Sequence, residues 1–203
     1  MTELSDHFQD LLLSYSQEPD AARREALESR LWQEFGAERA VLVLDMSGFS
    51  QLAIRFGIVH YLSMVRRMQL TAEPIVRNYS GTLVKFEADN CYAMFPDVAG
   101  AIQAAVELNE AFSLANEATP DELDIRVACG IDFGSILVVP GVDFFGNAVN
   151  RASKLGEDLA AAGEILVTRE AMATLPADHA IDHSPRQFDT SGIRIETCVL
   201  GRK

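Results

Sequence analysis

The sequence predicts an α+β fold in which helices pack against a mostly antiparallel sheet. Three observations carry that prediction. Short apolar runs such as Val41-Leu42-Val43-Leu44 alternate with longer stretches of helical periodicity. The run Thr82 to Glu87 is followed almost at once by Cys91-Tyr92-Ala93-Met94-Phe95, so the two read as antiparallel neighbours joined by a tight turn. One strand, a long helical crossover, a hairpin, a helix and a second hairpin then follow in an order that suits a single sheet covered by helices.

The elements follow in order along the chain. Residues 1–38 read as a polar, helix-prone lead-in, with Leu11, Leu12 and Leu13 in a first segment and Leu27, Leu31 and Phe35 at helical spacing in a second. Pro19-Asp20 separates the two, and Asp20 is placed to cap the second. This lead-in is expected to pack on the core or on a second subunit. Residues 39–203 form the main domain: a strand over 40–45, helices over about 49–79, strands over 82–87 and 91–95, and a helix over 97–115. Strands over 124–132 and 135–139 come next, then a helix over about 145–160, a strand over 164–167, a short helix over 168–173 and a terminal strand near 193–199. The polar stretch Pro176 to Ser191 carries Pro185 and reads as a loop or irregular edge.

Composition narrows the function. With 203 residues, 48% of them hydrophobic, the chain can bury a sizeable core as one domain plus short appendages. A formal net charge of −13 argues against a broad nucleic-acid or anionic-membrane surface, which needs a basic field. A small anionic ligand is still compatible, because a metal and a few local cations reverse the sign inside a cleft. Cys91, Cys129 and Cys198 are odd in number and widely spaced, the pattern of small buried hydrophobes in a reducing compartment. The N-terminus has neither the basic flank nor the apolar stretch of a signal peptide, and no segment approaches the about 20 apolar residues of a membrane span. The expected location is the cytoplasm.

Two acidic positions stand out. Asp45 closes the run Val41 to Leu44, and Asp89 falls at the tip of the hairpin between the strands over 82–87 and 91–95. A carboxylate at the end of an apolar strand cannot sit desolvated and unpaired, because that costs several kcal/mol without a cation or donors. Two such carboxylates at neighbouring strand ends suit a hard divalent cation such as Mg²⁺. Singly, Asp45 also fits a helix N-terminal charge and Asp89 an ordinary turn residue. The four histidines show no ligand spacing, and the glycines make no phosphate loop of the Walker or dinucleotide kind.

The flanking sequences add a resemblance. Leu42-Val43-Leu44-Asp45-Met46-Ser47-Gly48-Phe49-Ser50, the spacing from Lys85 to Asp89, and Asp143 followed by Phe145-Gly146-Asn147-Ala148-Val149-Asn150-Arg151-Ala152-Ser153-Lys154-Leu155 resemble, in that order, the catalytic domain of the class III adenylate and guanylate cyclases. The likeness spans roughly residues 39–200. It implies a ferredoxin-like core that dimerises head to tail, with composite active sites in the groove between subunits. It further implies that Asp45 and Asp89 hold two Mg²⁺ or Mn²⁺ ions, while the partner supplies Lys85 and Asp143 to the purine edge and Asn150 to the ribose. Lysine is a pure donor and suits adenine N1, and aspartate accepts from the exocyclic amine; guanine reverses that pattern. The pair therefore points to ATP as substrate and cyclic AMP as product, with a role in signal transduction.

The chain departs from the family at three places. Lys154 stands four residues after Asn150, where the family usually has a catalytic arginine, and it keeps the charge without the planar fork. Ala88 replaces the glycine before the second aspartate, and Glu87 stands where an apolar residue is common. Gly134 to Val142 is also shorter than the family's usual hairpin before the Asp143 position. These departures support a second reading, a cyclase-like nucleotide-responsive dimerisation module with little activity. A third reading is a cyclase of another nucleotide.

Overall fold

A computed structural model of the chain describes residues 3–48, 54–176, 179, 181–190 and 193–200. Two helices lead in, α1 (Glu3–Gln17) and α2 (Ala21–Phe35). The Asp20 carboxylate caps α2 as the sequence predicts, accepting from the Arg23 backbone N–H at 3.0 Å. The chain then enters β1 (Gly36–Met46), crosses through α3 (Ile58–Asn78), and returns as the hairpin β2 (Thr82–Glu87) and β3 (Asn90–Phe95). Helix α4 (Val98–Asn116) leads to β4 (Val127–Val139). The predicted helix start near Phe49, and the beginning of the 49–79 helical region, lie outside the described residues.

The sheet, among the described residues, has eight strands. Its first half runs in the order β2-β3-β1-β4, all antiparallel. With α3 and α4 as the two crossovers, this is the βαββαβ succession expected of a ferredoxin-like core. Strand alternation sends Ala40, Leu42, Leu44 and Met46 to one face and Val41, Val43 and Asp45 to the other. On the first face they meet Met64, Met68, Ala72 and Val76 of α3 and Ala101, Ala105 and Leu108 of α4 in the main core. These positions recur every three or four residues, the spacing that turns one helix stripe inward.

The opposite face is covered by α5 (Asn147–Ser153), which continues as a π-helical turn over Lys154–Leu159. Two glycines let this segment approach the sheet closely. A Cβ at Gly130 would strike the Ala152 carbonyl, and one at Gly156 would come within 2.6 Å of the Val43 carbonyl oxygen. The chain closes with β6 (Ile165–Thr168), the short α6 (Arg169–Met172), β7 (His183–Thr190) and β8 (Ile193–Leu200). Strand β6 pairs parallel to β4, and β8 and β7 follow antiparallel.

Three expectations need correction. The two strands over 124–132 and 135–139 are one continuous strand, β4, and the hairpin lies beyond it, where β4 turns back into β5 (Asp143–Phe145). The single predicted helix over 145–160 is α5 plus the π-turn, which the Gly156 contact with the sheet permits. The third is a refinement: the stretch read as a loop or irregular edge contains β7, a regular strand at one edge of the sheet, where Pro185 faces Cys198. An edge strand bonds on one side only, so it tolerates a proline.

In the lead-in, Phe8, Leu11, Leu31 and Phe35 form a cluster with Val139, against which Leu27 and Leu137 pack. Leu12, Leu13 and Trp32 stay exposed. All three cysteines are free and buried. Burial raises the Cys91 thiol to about 12, which removes it as a nucleophile at neutral pH.

Candidate active site

Asp45 is the last residue but one of β1, and its register partner on β3 is Asn90, the residue after Asp89. The β2–β3 turn therefore delivers Asp89 beside Asp45, and the Asp89 carbonyl accepts from the Met46 N–H at 3.3 Å. Ser47 and Gly48 turn away from the strand. Burial, reinforced by the charges of Asp89, Glu157 and Asp158, lifts the Asp45 carboxyl to about 7. Asp89 is also raised, by burial.

The turn itself carries strain. Ala88 adopts φ 52°, in the left-handed region where a Cβ costs about 1–2 kcal/mol. Ala88→Gly should therefore stabilise the domain by about 1 kcal/mol, after the extra chain entropy of glycine is subtracted. Urea denaturation of both proteins checks this; a midpoint that stays or falls would show that the turn is relaxed.

On the same face as Asp45, β2 presents Lys85. Its ammonium lies 3.1 Å from Asp143 Oδ2, 3.0 Å from Glu87 Oε2 and 5.0 Å from the centre of the Tyr92 ring. Burial works against the lysine charge, but the hydrogen bonds to Glu87 and Asp143 outweigh it and hold the pKa above the ordinary value. Two residues 58 positions apart are thus brought together as a donor beside an acceptor. Glu87, the departure noted in the sequence, shares the same lysine.

Asn150 sits on α5, one turn after Gly146, and is exposed. Lys154 begins the π-turn, where its ammonium is bound to Asp158 Oδ2 at 2.6 Å. Arg151, on the same helix, is committed to a buried carboxylate. Its Nε donates to Asp132 Oδ2 at 2.6 Å, and Thr168 Oγ1 donates to Asp132 Oδ1 at 2.5 Å. Asp132 is fully buried, and burial raises its pKa against the opposing pulls of Thr168 and Arg151. This network ties α5, and so Asn150, to β4 and β6. The argument that singled out Asp45, a lone carboxylate in an apolar run, would have found Asp132 as well.

Whether the residues suit a divalent cation can be judged on the donor set. Among the described residues no group of three or more His, Cys, Asp and Glu is arranged to hold a metal; Asp45 and Asp89 stand as a pair. Beside them the buried Asn90 Oδ1 has no hydrogen-bond partner among the described residues. Hard oxygen donors with an uncompensated negative charge fit Mg²⁺ or Mn²⁺, ions that complete their shell with phosphate and water. Among the described residues no helix is long and apolar enough to cross a membrane.

The fold agrees with that of known proteins. The profile of the adenylate and guanylate cyclase catalytic domain matches residues 36–196. The curated protein "Putative adenylate cyclase 3" of Rhizobium meliloti (strain 1021) is 29% identical over 129 residues, which is 64% of this chain and 22% of that protein. The chain thus spans about a fifth of its relative's length. The crystal structure of an adenylate/guanylate cyclase/hydrolase from Silicibacter pomeroyi is 25% identical, with a TM-score of 0.66, 81% of this chain and 96% of that one being covered. The adenylyl cyclase CyaB from P. aeruginosa shares the fold at 19% identity, with a TM-score of 0.67 and coverage of 83% and 97%. The catalytic core of a rhodopsin-guanylyl cyclase with converted specificity, in complex with ATPαS, does so at 18% identity, with a TM-score of 0.69 and coverage of 82% and 98%. The β-strand that carries Asp45, the hairpin whose turn carries Asp89 and the helix that carries Asn150 all fall inside the matched span, and the chain belongs to the class III adenylate and guanylate cyclase catalytic domain family.

Proposed function

We propose that the chain is an adenylate cyclase, converting ATP to 3′,5′-cyclic AMP and pyrophosphate as a head-to-tail homodimer with composite sites. The observation that carries this reading is the Lys85–Asp143 pair, with Nζ and Oδ2 3.1 Å apart at a partly open position. Together the two present a donor and an acceptor in the order of the adenine edge, N1 beside the exocyclic amine. Glutamate at position 87 keeps the lysine charged and fixed.

Each residue then has a task. Asp45 and Asp89 would hold two Mg²⁺ or Mn²⁺ ions, which when bound acidify the ribose 3′-hydroxyl and neutralise phosphate charge. From the partner protomer, Lys85 donates to adenine N1 and Asp143 accepts from the amine. Asn150 orients the ribose, so that its 3′-oxygen faces the α-phosphorus in line; such alignment is worth up to about 7–11 kcal/mol. Lys154 leaves Asp158 to meet the transferring phosphate, an exchange of one exposed ion pair for another. The 3′-oxygen forms a bond to the α-phosphorus, the bond from that phosphorus to the bridging oxygen breaks, and pyrophosphate departs. The hydroxyl proton passes to solvent.

In this reading residues 1–38 are a lead-in to a catalytic domain over 39–203, and the product serves intracellular signalling. The named activity of the Rhizobium meliloti relative supports adenylate chemistry. The Lys154–Asp158 pair favours the second reading, a weakly active regulatory dimerisation module, because it occupies the cation that catalysis needs.

The test is a mass-spectrometric assay of the purified protein with ATP, GTP, CTP and UTP, in Mg²⁺ and then in Mn²⁺. ATP should be preferred over GTP by at least about tenfold in kcat/KM, since a wrong base leaves polar groups unpaired. Lys85→Glu should erase that preference. A predominance of cyclic GMP would overturn the base assignment, and silence with every nucleotide would leave the regulatory module.

A further inference from the structure

Strand β5, which carries Asp143, is poorly held by its own backbone. It has three residues and, among the described residues, pairs only with the end of β4, Val139 facing Asp143 and Leu137 facing Phe145. Its position must come from side chains. The strand alternates, so Phe144 and Phe145 leave it on opposite sides. Phe144 is 2% exposed and meets Tyr92 edge-on, with ring centres 6.5 Å apart, beneath the Lys85 ammonium. Phe145 instead stacks on Phe8 of α1, at 5.9 Å between ring centres and 7° between planes.

Phe8 is in turn fixed. It is 2% exposed and meets Phe35 of α2 edge-on at 5.0 Å. Leu11 and Leu31 join them in a cluster that also takes in Val139 and touches Leu137, the β4 residues that face Asp143 and Phe145. The lead-in helices therefore grip both strands of the hairpin that presents the base-reading carboxylate.

We propose that the α1–α2 hairpin is a positioning element for base recognition, with Phe8, acting through Phe145, setting where Asp143 stands against Lys85. This rests on the reading of Lys85 and Asp143 as the adenine-binding pair. It gives the lead-in a stake in substrate affinity. Any movement of α1 relative to the sheet, imposed by a preceding segment or a partner, is transmitted through one aromatic stack to the purine edge. A carboxylate displaced by about 1 Å loses most of a hydrogen bond, so the effect on a bound base is of the order of tenfold.

Phe8→Ala, Phe8→Leu and Phe145→Leu test this beside Phe112→Leu, a change in the core on the other face of the sheet. Phe8→Ala should raise KM for ATP about tenfold with kcat changed less than about threefold, and narrow the margin over GTP. Phe8→Leu should restore part of the affinity. Hydrogen exchange across residues 137–147 should accelerate at least about fivefold in Phe8→Ala, while the β2–β3 hairpin keeps its protection. Phe112→Leu, equally or more destabilised, should do neither. Unchanged KM and unchanged exchange in Phe8→Ala would overturn the proposal, as would an identical KM rise in Phe112→Leu. Absence of turnover in the wild-type protein would sink the enzyme assignment alone, because the exchange rates decide the mechanical coupling without substrate.

Discussion

Replacing Asp45 by asparagine is expected to abolish turnover and, at the same time, to stabilise the metal-free protein. The loss of activity follows from removing one of two carboxylates placed for divalent ions; several kcal/mol of charge stabilisation corresponds to about a thousandfold or more in kcat. The gain in stability follows from the electrostatics. Asp45 titrates at about 7 in the folded chain against an ordinary value of 3.8, because of burial first and then Asp89, Glu157 and Asp158. The folded state thus binds this proton more tightly than the unfolded chain. The associated stabilisation is complete below the ordinary carboxylate range and is lost as pH rises through about 7. Metal-free wild-type protein should accordingly melt at a lower temperature at pH 8 than at pH 5, and Asp45→Asn should show a shallower fall. Discounted for partial exposure, the variant should gain about 1–2 kcal/mol at pH 8. Added Mn²⁺ should raise the melting temperature of the wild type and leave the variant unmoved. Parallel pH slopes in the two proteins would remove the electrostatic account, and retained turnover would remove Asp45 from the reaction.

That a carboxylate at the end of an apolar strand opposes folding also explains which parts of this molecule were legible in its sequence. The β2–β3 hairpin and β1 stood out because their inward residues are apolar on at least one face, and the tight turn at Ala88-Asp89 left only one way to pair them. Asp45 and Asp89 were visible as violations of that pattern. Continuity of β4 was hidden, because Asp132 and Gly134 interrupt the apolar run and imitate a break. Nothing local reveals that Asp132 is answered by Arg151 and Thr168, which arrive from α5 and the end of β6. Strand β7 was hidden for the opposite reason. It is polar, contains a proline and lies at the edge, so it owes its form to the ladder with β8 and not to its own composition. The placing of Lys85 and Asp143 at one site came from the family resemblance, and their direct contact was not foreseen, since a separation of 58 positions leaves no periodic trace of it.

If each site is shared between two protomers, as proposed above, the last expectation becomes quantitative. Asp45 and Asp89 lie at the β1 end and the β2–β3 turn, while Asn150 is exposed on α5 with Lys154 on the turn that follows. In a head-to-tail dimer with twofold symmetry each groove takes the carboxylate pair from one protomer and Asn150 from the other. Asp45→Ala and Asn150→Ala homodimers should both be inactive, since every groove carries one defect. In a heterodimer of the two, both defects fall in one groove and the other is intact. Random exchange at equal amounts makes half of the dimers heterodimers, each with one working site of two, so recovery should reach about a quarter of wild-type activity per protomer. Subunit exchange followed by native mass spectrometry measures the heterodimer fraction alongside cyclic AMP output. Recovery that scales with that fraction identifies a shared groove. Verified heterodimers without activity would place all the catalytic groups of a site on one chain, and the dimer would then have to be explained by stability and not by chemistry.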